Sequence, residues 1–326
     1  MRTKLLVGFL CLMLVGGLVG GFVIPVSAQE YNFVFITQWG PESAFSAVVE
    51  HGMKDAAKMV GVKCTMFRPP KEGDLAAQLA LFKAALTKNP DGIITTIPHP
   101  TMFNDVLKKA LDRGIPVICS NTDGLRGTGN PLDKKIPYIG QDLFHSGYVL
   151  ATKASEHFSN PSQMKVLVGV EVPGVSWAEA RAGGQIKFLK EHGAKFEKLD
   201  VGTEMATIQS RILAYLKRHP DTNAIFTQGA FGPAPSAKAA RAAGYKPGQI
   251  IIAGYDVLPE TASEIKKGYV TFVIDQQPYL QGYLPVVQLY LRKKYGFSSW
   301  DVDTGLGIVD KSNVDLIAKL AKKRIR

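Results

Sequence analysis

Two kinds of apolar pattern alternate along the chain. Short β-branched or aromatic runs at 33–36, 62–67, 92–97 and 116–120 read as strands. Longer stretches between them carry apolar residues at helical spacing: 45–60, 75–86 (Leu75, Leu79, Phe82 and Leu86 on one face), and 101–113, ended by Gly114. A polar, glycine-rich interval at 123–135 interrupts the pattern, which resumes with a strand at 138–142 and a helix over 143–158. Further alternation predicts strands at 166–170, 196–201, 224–227 and 250–253, with helices over 177–191, 208–218 and 236–243. After the strand at 271–274, Pro278 stands where a helix over 279–294 begins, since a missing N–H costs nothing at a first helical position. A last helical spacing, Leu316, Ile317 and Leu320, falls within 314–323. Strands and helices alternating at this length imply βαβ units and parallel sheets, and the interval before Gly140 divides them into two α/β halves.

Composition narrows the class. With 46% hydrophobic and 21% charged residues the chain is an ordinary globular one, which excludes a disordered protein. The net charge of +11 includes Arg2 and Lys4 at one end and Lys319, Lys322, Lys323, Arg324 and Arg326 at the other. No basic stripe is interleaved with aromatics, so no nucleic acid partner is expected. The excess reads as a solvated, Lys-rich surface, with attraction to anionic membrane as its further use. Arg2 and Lys4 precede the apolar run 5–26, and Val26, Ser27 and Ala28 supply a signal-peptidase pattern. Residues 1–28 are therefore expected to be a signal peptide and the mature protein periplasmic or otherwise extracytoplasmic. An uncleaved anchor is the alternative, because the run approaches the roughly 20 apolar residues that span a bilayer. Gly16, Gly17, Gly20, Gly21 and Pro25 weaken it as a continuous helix. Cys64 and Cys119 both fall in strands, where buried free thiols are expected.

Catalytic signatures are missing from the sequence. It holds no Walker loop, HExxH or paired CxxC, and Gly174-Val-Ser-Trp-Ala178 is one glycine short of a nucleophile elbow. No metal, no cofactor and no enzyme activity are expected. The strand ends are more informative: Thr37-Gln-Trp39, Ile97-Pro-His99, Ser120-Asn-Thr-Asp123, Gly140-Gln-Asp142, Tyr255-Asp256 and Asp275-Gln276. Singly these are ordinary turn residues and helix caps. As a set they line one cleft if two parallel sheets face each other at their carboxyl ends. Amides and carboxylates there meet several hydroxyls, and aromatic faces cover the C–H faces of a sugar or polyol.

These segments carry a family resemblance. Gln276-Gln-Pro-Tyr-Leu-Gln-Gly282 resembles the last inter-lobe crossover of the type I periplasmic sugar-binding proteins, the ribose-binding-protein family. Gly114-Ile-Pro-Val-Ile-Cys-Ser-Asn-Thr-Asp123 is similar to the family's Gly-x-Pro-Val strand, with Asn121 in place of a ligand-binding aspartate and Asp123 keeping the later acid. Ile139-Gly-Gln-Asp142 looks like the first crossover, in which Gln141 contacts ligand. Trp177-Ala-Glu-Ala-Arg181 resembles the segment ending in the sugar-clamping arginine, and Gly254-Tyr-Asp256 the motif whose acid binds hydroxyls beside Tyr255. Gln276 falls on the hinge glutamine, and Phe45 on an aromatic that stacks on the ring, with Trp39 and Ser43 nearby.

The resemblance implies two Rossmann-like lobes joined by a three-strand hinge, 29–139 with 277–300 and 140–276 with 301–326. It also implies a monomeric solute-binding protein that closes on a sugar or polyol and delivers it to an ABC transporter permease. One departure falls after 224–227, where the family's Asn-Asp is replaced by Gln228-Gly-Ala-Phe-Gly-Pro-Ala-Pro235. Backbone groups around Gly229 then suit a furanosyl signal or modified sugar, so the identity of the ligand stays open. The alternatives are the same fold presenting ligand to a chemoreceptor or sensor kinase, and an exported glycoside-acting enzyme using Asp123, Asp256 or Asp275.

Overall fold

A computed structural model describes residues 31–326, so the expected signal peptide lies outside the described residues. The chain begins β1 (Asn32–Ile36), α1 (Ala44–Val60), β2 (Lys63–Phe67), α2 (Leu75–Thr87), β3 (Gly92–Ile97), α3 (Asn104–Asp112), β4 (Val117–Asp123), β5 (Tyr138–Gly140). It then crosses into a second unit: α4 (Leu143–Ser155), β6 (Lys165–Val170), α5 (Ser176–Glu191), β7 (Lys195–Asp200), α6 (Met205–Arg218), β8 (Ala224–Thr227). That unit continues through α7 (Pro233–Ala242), β9 (Ile251–Tyr255), α8 (Pro259–Lys266) and β10 (Phe272–Asp275). α9 (Pro278–Tyr295) and β11 (Val302–Asp303) return to the first unit, and β12 (Gly307–Asp310) and α10 (Val314–Ala321) end in the second.

The first sheet has the order β11-β5-β4-β3-β1-β2, and the second β12-β10-β9-β8-β6-β7. Every pairing is parallel except β12 with β10. The exception follows from connectivity. Strands β5 and β10 rise to the cleft and hand over to descending helices, whereas β11 rises, crosses, and must descend as a strand. Because β11 pairs with β5, residues through Asp303 stay with the first sheet. The division expected at 300 therefore moves three residues on, and Gly140, paired with Asp303, also stays with the first sheet.

Period-two alternation gives each sheet two apolar faces. Phe33 and Phe35 pack with α1 and α9, while Val34 and Ile36 point to the layer under α2 and α3. The second sheet is covered likewise, by α4 and α5 on one face and by α6, α7, α8 and α10 on the other. The helix following each of the first two crossings packs unusually close to its neighbour. A Cβ on Gly282 of α9 would lie 1.8 Å from the carbonyl oxygen of Val49, and one on Gly147 of α4 would lie 2.0 Å from that of Arg181. Only glycine permits such backbone contact. Within α9, Pro285 cannot donate to the carbonyl four residues back, and the Ser120 hydroxyl of β4 takes the freed Gln281 oxygen at 2.8 Å.

Three helix starts differ from expectation by three residues, α6 among them, which begins at Met205 and not at 208. α3 begins at Asn104 because His99 Nδ1 accepts the N–H groups of Thr101 and Met102, holding them in a turn. α7 begins at Pro233, where proline is tolerated at the first helical turn. Cys64 and Cys119 are free thiols.

Candidate functional site

Arg181 is the centre of the second lobe's side of the cleft. It projects from the first turns of α5 and is only 4% exposed. Its Nε donates to Gln141 Oε1 at 2.9 Å, Nη1 to the Gln228 carbonyl at 2.7 Å, and Nη2 also to Gln141 Oε1. The guanidinium lies over the ring of Tyr255, 4.0 Å from its centroid, with Trp177 on another side at 5.7 Å. A desolvated contact of this kind contributes about 2 kcal/mol. Among the described residues no carboxylate lies within 4 Å of the guanidinium. Three of its five N–H groups are used by these bonds, leaving one on each terminal nitrogen.

Two acids share that field, Glu171 buried and Asp256 half-buried. Glu171, one residue beyond β6, accepts the N–H of Gln228 at 2.8 Å and of Gly229 at 2.9 Å. Burial pushes its carboxyl up, while these bonds and Arg181 pull it back. Gly229 thus spends its N–H inside the protein, and the expected backbone contact from this residue has that donor occupied. Asp256 accepts from Gln276 Nε2 at 2.8 Å, and it too is raised by burial and eased by Arg181. Burial likewise pushes the Tyr255 phenol up to about 12, and its hydroxyl lies 3.4 Å from Ser146 Oγ. Behind Arg181, Gln228 Nε2 donates to Gln185 Oε1, while Gln228 Oε1 and Gln185 Nε2 are buried without a protein partner.

The three crossings are laced together by neutral groups. Thr304 donates its N–H to the Gly140 carbonyl at 2.9 Å and its hydroxyl to the Gln276 carbonyl at 2.8 Å. Its hydroxyl also accepts from Gln281 Nε2 at 3.0 Å, so one residue, through backbone and side chain together, ties the three connections. Gln141 Nε2 donates to the Gly305 carbonyl, and Gln277 Nε2 to that of Thr304. Asn121 joins from β4, donating to Gln281 Oε1 at 2.9 Å and to Gln276 Oε1 at 3.4 Å. Asn121, Asp256 and Gln277 all hold positive φ, at 64°, 60° and 54°. Backbone strain of this kind costs about 1–3 kcal/mol per residue and concentrates at ligand clamps and switch regions.

The structure therefore gathers Gln141, Arg181, Gly229, Tyr255, Asp256, Gln276 and Asn121 into one continuous polar network. The other four expected residues are placed differently. Ser43 caps α1, accepting the Ser46 N–H. Trp39 is 4% exposed and packs on Phe35 and half-buried Phe45, with ring centroids 6.4 and 5.3 Å apart. Asp123 turns into its own loop, accepting from the Leu125 N–H and from Arg126 Nε, each at 3.0 Å. Asp275, an acid of the enzyme alternative and not one of those four, is tied to Arg326 Nη1 at 2.9 Å. Sequence reasoning missed Glu171, Gln185, Gln281 and Thr304. Glu171 stands at a strand end like Asp256, which is the signal that could have found it. Thr304 follows a two-residue strand and had none.

Comparison with known proteins agrees with this arrangement. A family model described as a periplasmic binding protein domain matches residues 33–294. The xylose/arabinose-binding protein of Sulfolobus acidocaldarius is 28% identical over 283 residues, covering 83% of this chain and 69% of that protein. The D-allose-binding periplasmic protein of Escherichia coli is 25% identical, covering 77% and 80%. Among solved structures, a periplasmic sugar-binding protein from Legionella pneumophila is 33% identical with a TM-score of 0.71, covering 85% of this chain and all of that one. A carbohydrate transporter from Acidothermus cellulolyticus, solved with myo-inositol, is 28% identical with a TM-score of 0.72, covering 91% and all of each respectively. With two facing parallel sheets, three laced crossings and a family match over most of its length, the chain belongs to the periplasmic binding protein family.

Proposed function

We propose that this protein is the extracytoplasmic solute-binding component of an ABC importer, and that it takes one sugar or sugar-like polyol into the cleft between its sheets. The observation that carries the proposal is Arg181: a buried guanidinium stacked on Tyr255, braced by Gln141, with two N–H groups not used by the protein. Adjacent hydroxyl oxygens of a pyranose or cyclitol meet a planar fork of this kind. Asp256, held by Gln276, accepts hydroxyl hydrogens from the other side. The similar proteins named above bind xylose or arabinose, allose and myo-inositol, small rings or chains rich in neighbouring hydroxyls.

Binding both lobes at once favours the closed arrangement by the difference in affinity between open and closed states. A micromolar ligand requires about −8 kcal/mol, within reach of several charge-assisted hydrogen bonds and a stacked ring. The ligand leaves unaltered in this account. Asp123 is engaged by Arg126, Asp275 by Arg326 and Asp256 by Gln276, so these acids serve as fixed acceptors, not as an acid–base pair.

A thermal-shift screen over pentoses, hexoses, cyclitols and furanosyl compounds tests the proposal. One or a few members should raise the melting temperature, and Arg181→Ala should abolish the rise. No shift with any member, or equal shifts in the variant, would overturn it.

A further inference from the structure

The end of the first lobe opposite the cleft carries a surface that sugar binding does not use. Since all six strands of that sheet are parallel, their starts lie together there: Tyr31 leads into β1 and Trp300 leads towards β11. α9 descends from the second crossing and delivers its last turn to the same end. Tyr295, Phe297 and Trp300 are 56%, 57% and 53% exposed. Their surroundings are aromatic too: Tyr295 lies 5.8 Å from Phe297 and 6.3 Å from Tyr290, which is 6.4 Å from Tyr31. Three consecutive exposed cations, Arg292, Lys293 and Lys294, frame the rings. The Lys294 ammonium sits 5.1 Å over Tyr290 and 5.3 Å over Tyr295. Nearby acids are already engaged, Asp91 by Lys293 at 3.4 Å and Asp301 by Arg126 at 2.9 Å.

The second lobe has no matching surface among the described residues. Its exposed large apolar side chains are Phe144 at the start of α4, Val175 and Phe231 in loops after strands β6 and β8, Leu316 on α10, and Leu306 in the third crossing. The first three lie towards the cleft. Exposed aromatics clustered with Lys and Arg have the composition that sits at a bilayer interface, rings at headgroup level and cations on lipid phosphates. Connectivity selects the same partner. The apolar run 5–26 ends five residues before Tyr31, which is at most about 17 Å of extended chain. In the uncleaved alternative, a bilayer holding that run lies within reach of this surface.

We propose that the far end of the first lobe seats on an anionic bilayer, with Tyr295, Phe297 and Trp300 entering the interface and Arg292, Lys293 and Lys294 on lipid phosphates. The cleft then faces the aqueous space, and the lobe must lift from the lipid to present its cleft to a membrane partner. This holds whether or not the ligand is a sugar.

Tryptophan fluorescence of the full chain reconstituted in phosphatidylcholine–phosphatidylglycerol vesicles, brominated near the top of the acyl chains, tests it. Trp39 is buried and Trp177 lies beside Arg181, so Trp300 reports on this surface. Lipid quenching is expected in the wild type, lost in Trp300→Phe, and weakened both by salt and by the combined Arg292→Gln, Lys293→Gln and Lys294→Gln variant. The variants should keep the wild-type melting temperature and response to added sugar, which separates loss of seating from loss of fold. Absence of quenching, or quenching unchanged in Trp300→Phe, would overturn the proposal. So would concentration-dependent self-association abolished by Phe297→Ser and Trp300→Ser, which would make a second copy the occupant.

Discussion

The two lobes build their sides of the cleft from different chemistry. The second lobe buries Arg181 and Glu171, half-buries Asp256, and braces these ionisable groups with amides and a tyrosine ring. The first lobe offers neutral groups, Asn121, Thr122 and Gln38, and folds Asp123 onto Arg126. Charged hydrogen bonds are roughly twice as strong as neutral ones, so the proposed binding mode predicts that the second lobe carries most of the affinity. Of these, Asn121 reaches the second crossing at Gln276, so in the proposed closure it is the neutral group placed to limit the first lobe's travel. A desolvated, preorganised charge cluster is costly to keep when unliganded, and burial pushes both of its acids upward accordingly.

That contrast can be broken at its strongest point first. Arg181→Ala removes a buried charged donor and should weaken binding by about 2–5 kcal/mol in a calorimetric titration. Arg181→Lys should recover little, because an ammonium lacks the planar fork and the stacking face. Next in size is Gly184→Ala on α5, where a Cβ would meet the Phe144 carbonyl oxygen at 2.0 Å. Overpacking of this order costs about 1–3 kcal/mol of stability. It should also weaken sugar binding by moving the helix that carries Arg181. Gly282→Ala, the first lobe's counterpart, should lower the melting temperature similarly while disturbing Arg181 less.

Asp256→Asn sharpens the electrostatic half of the comparison. A carboxyl raised by burial binds its proton more tightly folded than unfolded. It therefore adds stability as pH falls from neutral through its raised value towards 3.8, and that contribution is lost as pH rises again. Asp256→Asn should flatten this slope in melting temperature against pH and raise the melting temperature of the ligand-free protein at neutral pH. Affinity in the wild type should fall on acidification as the acceptor is protonated, a dependence the variant should lack. The smallest effect is expected in the neutral lobe. Asn121→Ala should cost about 0.5–1.5 kcal/mol of binding, several-fold in affinity, because its bonds are uncharged.

Much of this architecture was legible before any coordinates. Regular alternation such as 33–36 and 92–97, with helices of spacing 3.6 between, implied two parallel sheets, and the strand ends at Gln141, Asp256 and Gln276 announced the cleft. β11 was illegible because two residues carry no periodicity, and β12 because its antiparallel pairing with β10 depends on the third crossing. α8 was missed because its only buried apolar residues are Ala262 and Ile265, too few to show helical spacing. Trp39 shows the limit of local reasoning: polar neighbours in sequence suggested a binding face, yet Phe35 and Phe45 surround it in space. Asp123 shows another, since its partner is the arginine three residues on and not the ligand set.

Small-angle scattering of the wild type, without and with the sugar or polyol that gives the largest thermal shift, tests the central claim most directly. Two lobes closing about one ligand predict a smaller radius of gyration on saturation, with no contraction in Arg181→Ala. A radius unchanged at saturating ligand in the wild type would contradict a cleft that grips its ligand between the two sheets.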